Sequence, residues 1–400
     1  MKKDLPTTLN FFSFSTLVTS IEKRLKSNRT SKILLLLILS IFYTTSNAQT
    51  LVHPVTANNP SFPLPAGMDE VTVEAWGAGG AGGAALGGNG WGRGAPGGGG
   101  GAYALGKITG ITTSTLNVVV GSAVAGGTGN GTSGGASYVT GFTGVFYAPG
   151  GMGGTANLPA TGGTPPGATP ATTGVKGSMT ATNGGASGVG YNSLLNLALS
   201  SGNGGNAANQ GPQKGGAGGL GYATLLGANG AGRPGQEYGG GGSGAASSIS
   251  LLSPSTLYNG GSGARGHVNI TYTCKPYSFT GISAVNVCTA TGTTSQVRLT
   301  GTTTTLPAGT YTVTYNRGLP AFTGLTATMT VAGGTGTFTA VGLTDAGTSR
   351  ITVTSLTSVD CTSTFSTSNF VDVIVGAQPT VTTLGATTAV CASPSSQDTT

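Results

Sequence analysis

The stretch Val71-Thr72-Val73-Glu74-Ala75-Trp76-Gly77-Ala78-Gly79-Gly80 changes character at Gly77. Up to Trp76, apolar and polar residues alternate with period two, the pattern of a half-buried strand. From Gly77 to Gly266 there are 61 glycines in 190 residues, without the strict triplet register of collagen. Strand-like pieces, rich in β-branched and aromatic residues, break this region at Ala102–Ile108, Thr115–Val120, Ala136–Val139, Val145–Tyr147 and His267–Thr273. The tracts between them carry Leu86, Trp91, Leu158, Tyr191, Leu225 and Leu226, unlike a regular Gly/Ser linker. Two readings stand. The tracts are loose loops, because ordering glycine costs much backbone entropy. Alternatively they are packed polyglycine helices of polyproline-II type, which without Cβ atoms approach closely enough to bond N–H to C=O between neighbours.

Upstream, residues 49–68 are rich in Pro and Asn and read as a lead-in linker; residues 69–273 form the glycine-rich β domain. After Cys274 glycine thins and threonine becomes abundant. Strand signals recur about every ten residues, at Ala284–Val287, Gln296–Leu299, Tyr311–Tyr315, Ala327–Val331, Gly336–Val341, Arg350–Leu356 and Phe370–Val375. Tyr311, Val313 and Tyr315 share one face, and Pro307-Ala308-Gly309 and Ala332-Gly333-Gly334 supply turns. The fold class is all-β, with an immunoglobulin-like β-sandwich expected over 279–376. Val287-Cys288 recurs as Val390-Cys391, so 379–400 reads as the start of a second, truncated repeat.

Of the 17 basic residues, seven lie in the first 32 positions, where Asp4 and Glu22 also fall; the remainder is 10 basic against 8 acidic. That balance removes the electrostatic basis for nucleic-acid binding. Ile33–Tyr43 is an apolar run of eleven, preceded by basic residues and followed by Ser46-Asn47-Ala48. It is too short to span a bilayer, which takes about 20 residues, and reads as a signal peptide over 1–48, cleaved after Ala48. The basic lead is long, so a downstream start or a retained signal anchor are the alternatives. No second apolar stretch of spanning length follows. The expected location is therefore secreted or on the outer cell surface, with no stable membrane span after cleavage.

In such an oxidising compartment the four cysteines, none in a CxxC motif, are able to pair. Cys288 and Cys361 make a candidate bridge within the threonine-rich domain, with Cys391 awaiting a partner and Cys274 unpaired or joined to Cys288. Sequence alone does not choose.

Glu74-Ala75-Trp76-Gly77-Ala78-Gly79-Gly80, Gly98–Gly101 with Ala102-Tyr103-Ala104, Leu116–Gly121, Gly134-Gly135-Ala136-Ser137-Tyr138-Val139 and Ala148-Pro149-Gly150-Gly151 follow one another in a set order. That order resembles a bacterial glycine-rich domain, and is similar to the extracellular glycine-rich region of the anaplastic lymphoma and leukocyte tyrosine kinase receptors. The resemblance covers residues 62–273. It implies a β-sandwich of tumour-necrosis-factor-like shape with inserted polyglycine helices. The receptor cysteines are missing here, and no ligand residue carries over. With the threonine-rich repeats and their Val-Cys start, the chain resembles large cargo of the type IX secretion system.

Candidate chemistry is sparse. Between Gly77 and Gly266 the one acidic residue is Glu237 and there is no histidine; beyond residue 48 the histidines are His53 and His267. General acid–base work usually needs a pair of titratable groups. Gly129–Gly134 fits GxGxxG, but a strand rather than a helix follows, so no dinucleotide cofactor is expected. Gly131-Thr132-Ser133-Gly134-Gly135 fits GxSxG, with Glu237 and His267 following in hydrolase order, but the surroundings read as glycine and strands. Ser133 is expected in a turn and His267 as a surface residue opening the last strand. The adjacent acidic pair Asp69-Glu70 is expected at a strand edge, where charge discourages pairing, rather than on calcium. No catalytic, cofactor-binding or metal residues are assigned and no enzyme activity is expected. Trp76 belongs to a core; Trp91 is the candidate for stacking on a ligand. The expected function is structural or adhesive, touching a surface polymer, glycan or other protein. The alternatives are a glycan- or peptide-binding module, or the accessory segment of a larger exported enzyme.

Overall fold

The computed structural model describes residues 49–87, 91–156, 180–182, 192–194, 199–208, 216–217, 219–221, 223–224, 230–247, 256–288, 293–367 and 369–377. The strands run in chain order as β1 (Thr50–Val55), β2 (Asn59–Pro63), β3 (Glu70–Trp76), β4 (Ala85–Gly87), β5 (Trp91–Gly94), β6 (Tyr103–Thr109), β7 (Thr115–Val119), β8 (Ser137–Phe142) and β9 (Gly144–Ala148). The short pieces β10 (Thr180–Thr182), β11 (Asn192–Leu194), β12 (Leu199–Ser200), β13 (Ala223–Thr224), β14 (Ala246–Ser247) and β15 (Thr256–Tyr258) lie among the glycine tracts. Then come β16 (His267–Thr273), β17 (Gly281–Ala284), β18 (Val287–Cys288), β19 (Thr294–Thr300), β20 (Gly309–Gly318), β21 (Ala321–Ala332), β22 (Thr335–Val341), β23 (Gly347–Ser358), β24 (Cys361–Thr364) and β25 (Phe370–Gly376). The described chain is all-β.

The glycine-rich region has a pair of sheets facing each other, ordered β1-β16-β3-β6-β10 and β2-β7-β8-β9. The alternation of β3 sets its two faces. Val71, Val73 and Ala75 point into the space between the sheets with Ile108, Leu116, Val118, Val139, Phe146, Val268 and Ile270, while Trp76 joins Tyr103, Ala207 and Ala208 in a second cluster. Residues 49–68, expected as a linker, instead carry β1 and β2, which pair with β16 and β7. Pro54, Pro60 and Pro63 give that segment an unstructured look in sequence, yet β1 and β2 are edge strands, where proline is tolerated.

The glycine tracts are packed, not loose. Along 77–84, successive amides donate to three different neighbours. Gly77, Gly80 and Gly83 donate to Ala102, Gly99 and Pro96; Ala78, Ala81 and Ala84 to Gly135, Thr132 and Gly129; Gly79 and Gly82 to Ala264 and Gly261, all at 2.9–3.0 Å. A three-residue repeat of bonding direction is that of a polyproline-II helix. Carbonyls of the same segment accept from a further pair of segments: Ala78 and Ala81 from Gly151 and Gly154, Gly80 and Gly83 from Gly242 and Ala245. Segment 95–101 repeats the scheme, Ala95, Gly98 and Gly101 donating to Ala245, Gly242 and Gly239 and accepting from Gly202, Gly205 and Ala208. Polyproline-II segments have no internal hydrogen bonds, so this lattice satisfies buried backbone groups that would otherwise be orphaned. It needs glycine for space: a Cβ at Gly79 would meet Gly240 O at 2.1 Å, and one at Gly98 would meet Gly80 O at 2.2 Å.

In the threonine-rich region the strand path is β17-β19-β22-β21-β20-β23-β25-β18, with β24 on β23. The β21–β22 hairpin turns on Gly333 and Gly334, both at positive φ, the requirement of a two-residue turn of primed type. Tyr311, Val313 and Tyr315 are buried on one face as the alternation predicts, packing with Val297, Leu299, Met329, Phe338, Ile351 and Val353. One contiguous apolar core runs from the glycine-rich sandwich into this region.

The cysteine pairing differs from the candidate bridge. Cys361 is bonded to Cys274, at a Cα–Cα distance of 5.4 Å, and not to Cys288. Cys274 follows the last strand of the glycine-rich sheet and Cys361 opens β24, so the bridge joins the two regions instead of closing one of them. Cys288 sits on β18, half-buried. The Asp69-Glu70 pair is also placed differently. Glu70 begins β3, an interior strand, and the charges are matched by cations, Glu70 to Lys107 at 2.6 Å and Asp69 to Lys275 at 2.7 Å. Residues 379–400 and their repeat lie outside the described residues.

Candidate functional site at the junction of the two regions

The tight hairpin between β23 and β24 forms a clasp. Its tip is Val359-Asp360, closed by the Ser358–Cys361 pair. Ser358 Oγ accepts from Ala66 N at 3.1 Å and donates to Thr310 O at 3.0 Å. Tyr277 hydroxyl donates to Ala66 O at 3.3 Å, and burial pushes its pKa up to about 12, so it stays a donor. Asp360 faces His53 Nε2 at 3.7 Å and accepts from the Tyr272 hydroxyl at 3.5 Å. Val359 has φ of 53°, a left-handed conformation costly for a β-branched residue. The disulfide, the core and these bonds hold the backbone there.

Beside the clasp lies a groove of about 690 Å³, lined from three stretches, Pro63–Met68, Ile111–Thr115 and Pro307–Thr310, with Ser358 and Val359 at one end. Its floor is apolar: Leu64, Pro65, Ala66, Met68, Ile111 and Pro307 are buried. Its rim is hydroxyl-rich, with Thr112, Thr113, Ser114, Thr115 and Thr310 exposed. Thr113 Oγ1 is engaged, lying within bonding distance of Thr115 O at 2.9 Å and Gly141 O at 2.7 Å. No charged side chain lines the groove among the described residues. Such a surface suits a neutral ligand with apolar and hydroxyl faces.

A second polar cluster is closed off inside the glycine-rich region. Tyr103 hydroxyl donates to Glu74 Oε1 and Asn269 Nδ2 to Glu74 Oε2, both at 2.9 Å. Asn269 Oδ1 lies 2.9 Å from His267 Nε2, which fixes the proton on Nε2 and leaves Nδ1 as an acceptor. His267 Nδ1 has no hydrogen-bond partner among the described residues. Tyr238 stacks on the imidazole at 3.8 Å between ring centres, and Trp76, donating from Nε1 to Ala208 O, packs alongside. Burial holds the His267 pKa below the ordinary histidine range, against the bond it donates to Asn269 and the charges of Glu74 and Glu237. Burial, with the bond to Glu74, raises that of Tyr103.

His267 opens β16 as expected but is 1% exposed, not a surface residue, because Tyr238 from a glycine tract covers it. Asn269, within an Asn-Ile-Thr sequon, is buried and bonded to Glu74. Trp76 is fully buried, as its strand position implied. Ser133 lies in a glycine segment, 3.4 Å from Gly153 N, and the next strand is β8, so the GxSxG and GxGxxG matches have no helix after them. Trp91 opens β5 opposite Leu194; its side chain, and with it the stacking role, lies outside the described residues. The groove is not legible in the sequence, since its walls are separated by about 250 positions and the first of them reads as linker. Among the described residues no group of three or more His, Cys, Asp or Glu side chains is placed to hold a metal ion.

Residues 55–273, more than half of the chain, match the family model described as a glycine-rich domain. None of the curated proteins matches the chain.

Proposed function

The chain belongs to the glycine-rich domain family, and from that premise we propose that it is an exported structural or adhesive protein of the cell surface or extracellular space. The observation that carries the reading is the polyglycine lattice joined through a disulfide to the threonine-rich region. A backbone-bonded lattice with few ionisable side chains builds stiffness, and a shared core with a covalent bridge keeps the next module from swinging. Disulfides persist in oxidising compartments, which fits the signal-like segment over 1–48. In this proposal the glycine-rich region is a tumour-necrosis-factor-like sandwich with polyglycine helices inserted, and the threonine-rich region the first of several immunoglobulin-like repeats of a type IX secretion cargo. The test is the mature chain recovered from producing cells. N-terminal sequencing should begin at Gln49, and the protein should sit in the medium or on intact cells within reach of added protease. Recovery from the cytosol with the first 48 residues intact would overturn the reading, as would substrate turnover abolished by altering Ser133 or His267.

The groove favours a second reading, a binding module for a neutral glycan or peptide. Filling it from the exposed rim with Thr112→Trp should abolish binding on a glycan or peptide array while leaving the unfolding midpoint close to that of the parent. An array silent for the unaltered chain removes this reading.

A further inference from the structure

Strand β21 leaves one edge open. Its end, Thr330–Ala332, pairs with Thr335–Thr337 across the hairpin, and then β22 turns away to run along β19 for its whole length. Over Ala321–Met329 the strand pairs with β20 on one side and, among the described residues, with nothing on the other. Every second residue of such an edge aims its N–H and C=O outward, a template for another strand. Several other sheet edges are blunted, and the edge strand β9 has five residues against the twelve of β21. Strand β1 carries Pro54, β2 carries Pro60 and Pro63 with a bulge, β17 has four residues and β18 two. Strand β21 has neither charge nor proline in Ala-Phe-Thr-Gly-Leu-Thr-Ala-Thr-Met-Thr-Val-Ala. Its one irregularity, at the register shift near Gly324, bends the tip and leaves Leu325–Met329 regular. Thr326 and Thr328 are exposed, and so is Phe322 nearer the hairpin tip.

We propose that the open edge of β21 pairs antiparallel with the same edge of a second copy of this chain. The segment is complementary to itself. With Ala327 on the two-fold axis, Thr326 stands opposite the second copy's Thr328, and Leu325 opposite the second copy's Met329. Cross-strand threonine pairs are favourable, and a strand without charges meets no like charge in its copy. Five residues a side make a small contact, so association is weak in dilute solution and becomes substantial where chains are crowded side by side. This inference does not depend on the reading of export or adhesion.

Sedimentation equilibrium of the purified chain over a wide concentration range tests it. The parent should dimerise reversibly. Thr326→Lys with Thr328→Lys brings lysine opposite lysine and should weaken association about tenfold or more. Mixing that variant with Thr326→Glu, Thr328→Glu should restore a dimer containing one of each. Unfolding midpoints of both variants check that they fold. Independently, in a Cys288→Ser, Cys391→Ser background, Ala327→Cys should form a dimer-linking disulfide on mild oxidation, because residues on the axis face each other at bonding distance, while Thr348→Cys should not. A parent that stays monomeric at all concentrations overturns the proposal, as does a lysine variant that associates like the parent or equal cross-linking by both cysteines.

Discussion

Replacing Gly98 with alanine tests the packed lattice at one atom. The new Cβ would lie 2.2 Å from Gly80 O, 2.5 Å from Gly80 C and 2.6 Å from Ala81 O, all main-chain atoms with no side chain to swing aside. An ordinary carbon–oxygen contact is about 3.3 Å, so segment 77–84 would have to retreat by about 1 Å. That movement breaks the bonds from Gly242 N to Gly80 O and from Gly154 N to Ala81 O, each 2.9 Å now. Two broken buried bonds cost about 1–3 kcal/mol each, and alanine returns about 0.4–1 kcal/mol by restricting the unfolded chain, for a net loss of about 3 kcal/mol. Gly129 is the control. It lies in the same lattice, its carbonyl accepting from Ala84 N, yet a Cβ there meets nothing within 4 Å. Gly129→Ala should be neutral or stabilising by up to about 1 kcal/mol. Denaturant unfolding followed by tryptophan fluorescence gives both values. Equal midpoints for the two variants would refute the reasoning.

Cys274→Ser removes a bridge spanning 87 positions and should cost about 4–5 kcal/mol in the chain-entropy model, whereas Cys288→Ser should leave the bridge intact; peptide mapping under non-reducing conditions identifies the bonded pair. Ser358→Ala strips Ala66 N and Thr310 O of a shared partner and should cost about 2 kcal/mol, read from the unfolding midpoint. For His267 the folded pKa lies below the ordinary value, so below about pH 6.5 the unfolded chain binds the extra proton and stability falls as pH falls. His267→Gln, which keeps a donor for Asn269, should flatten unfolding free energy between about pH 6.5 and 5; an unchanged slope would show that His267 is not the group responsible.

Where side chains alternate, the residues themselves mark the fold. Strand β16 occupies the positions its pattern indicates, His267–Thr273, and the Tyr311-Val313-Tyr315 face is the buried one. The packing of the tracts is only half legible. Glycine permits both a coil and a lattice, and what separates them is whether neighbours return at the right distance, a property of the whole chain. Prolines hide β1 and β2, because proline argues against a central strand and says little about an edge. The cysteine pairing is hidden for a related reason. Cys274 looks like a boundary marker, and only the folded sheets bring it beside Cys361, while Cys288 rides on β18 at the far end of the strand order. His267 reads as a surface residue because nothing local announces Tyr238, 29 positions earlier in a glycine tract, as its cover.

Amide hydrogen exchange across 77–84, 95–102 and 239–245 tests the central claim, that glycine here builds a bonded solid. The amides of Gly80, Gly83, Gly98, Gly101, Gly242 and Gly244 all donate to neighbouring segments. They should exchange with opening free energies close to that of global unfolding, on the order of 5 kcal/mol or more, level with β3 and β16. Exchange of these glycines at the rate of an unstructured peptide, with β3 and β16 still protected, would contradict it.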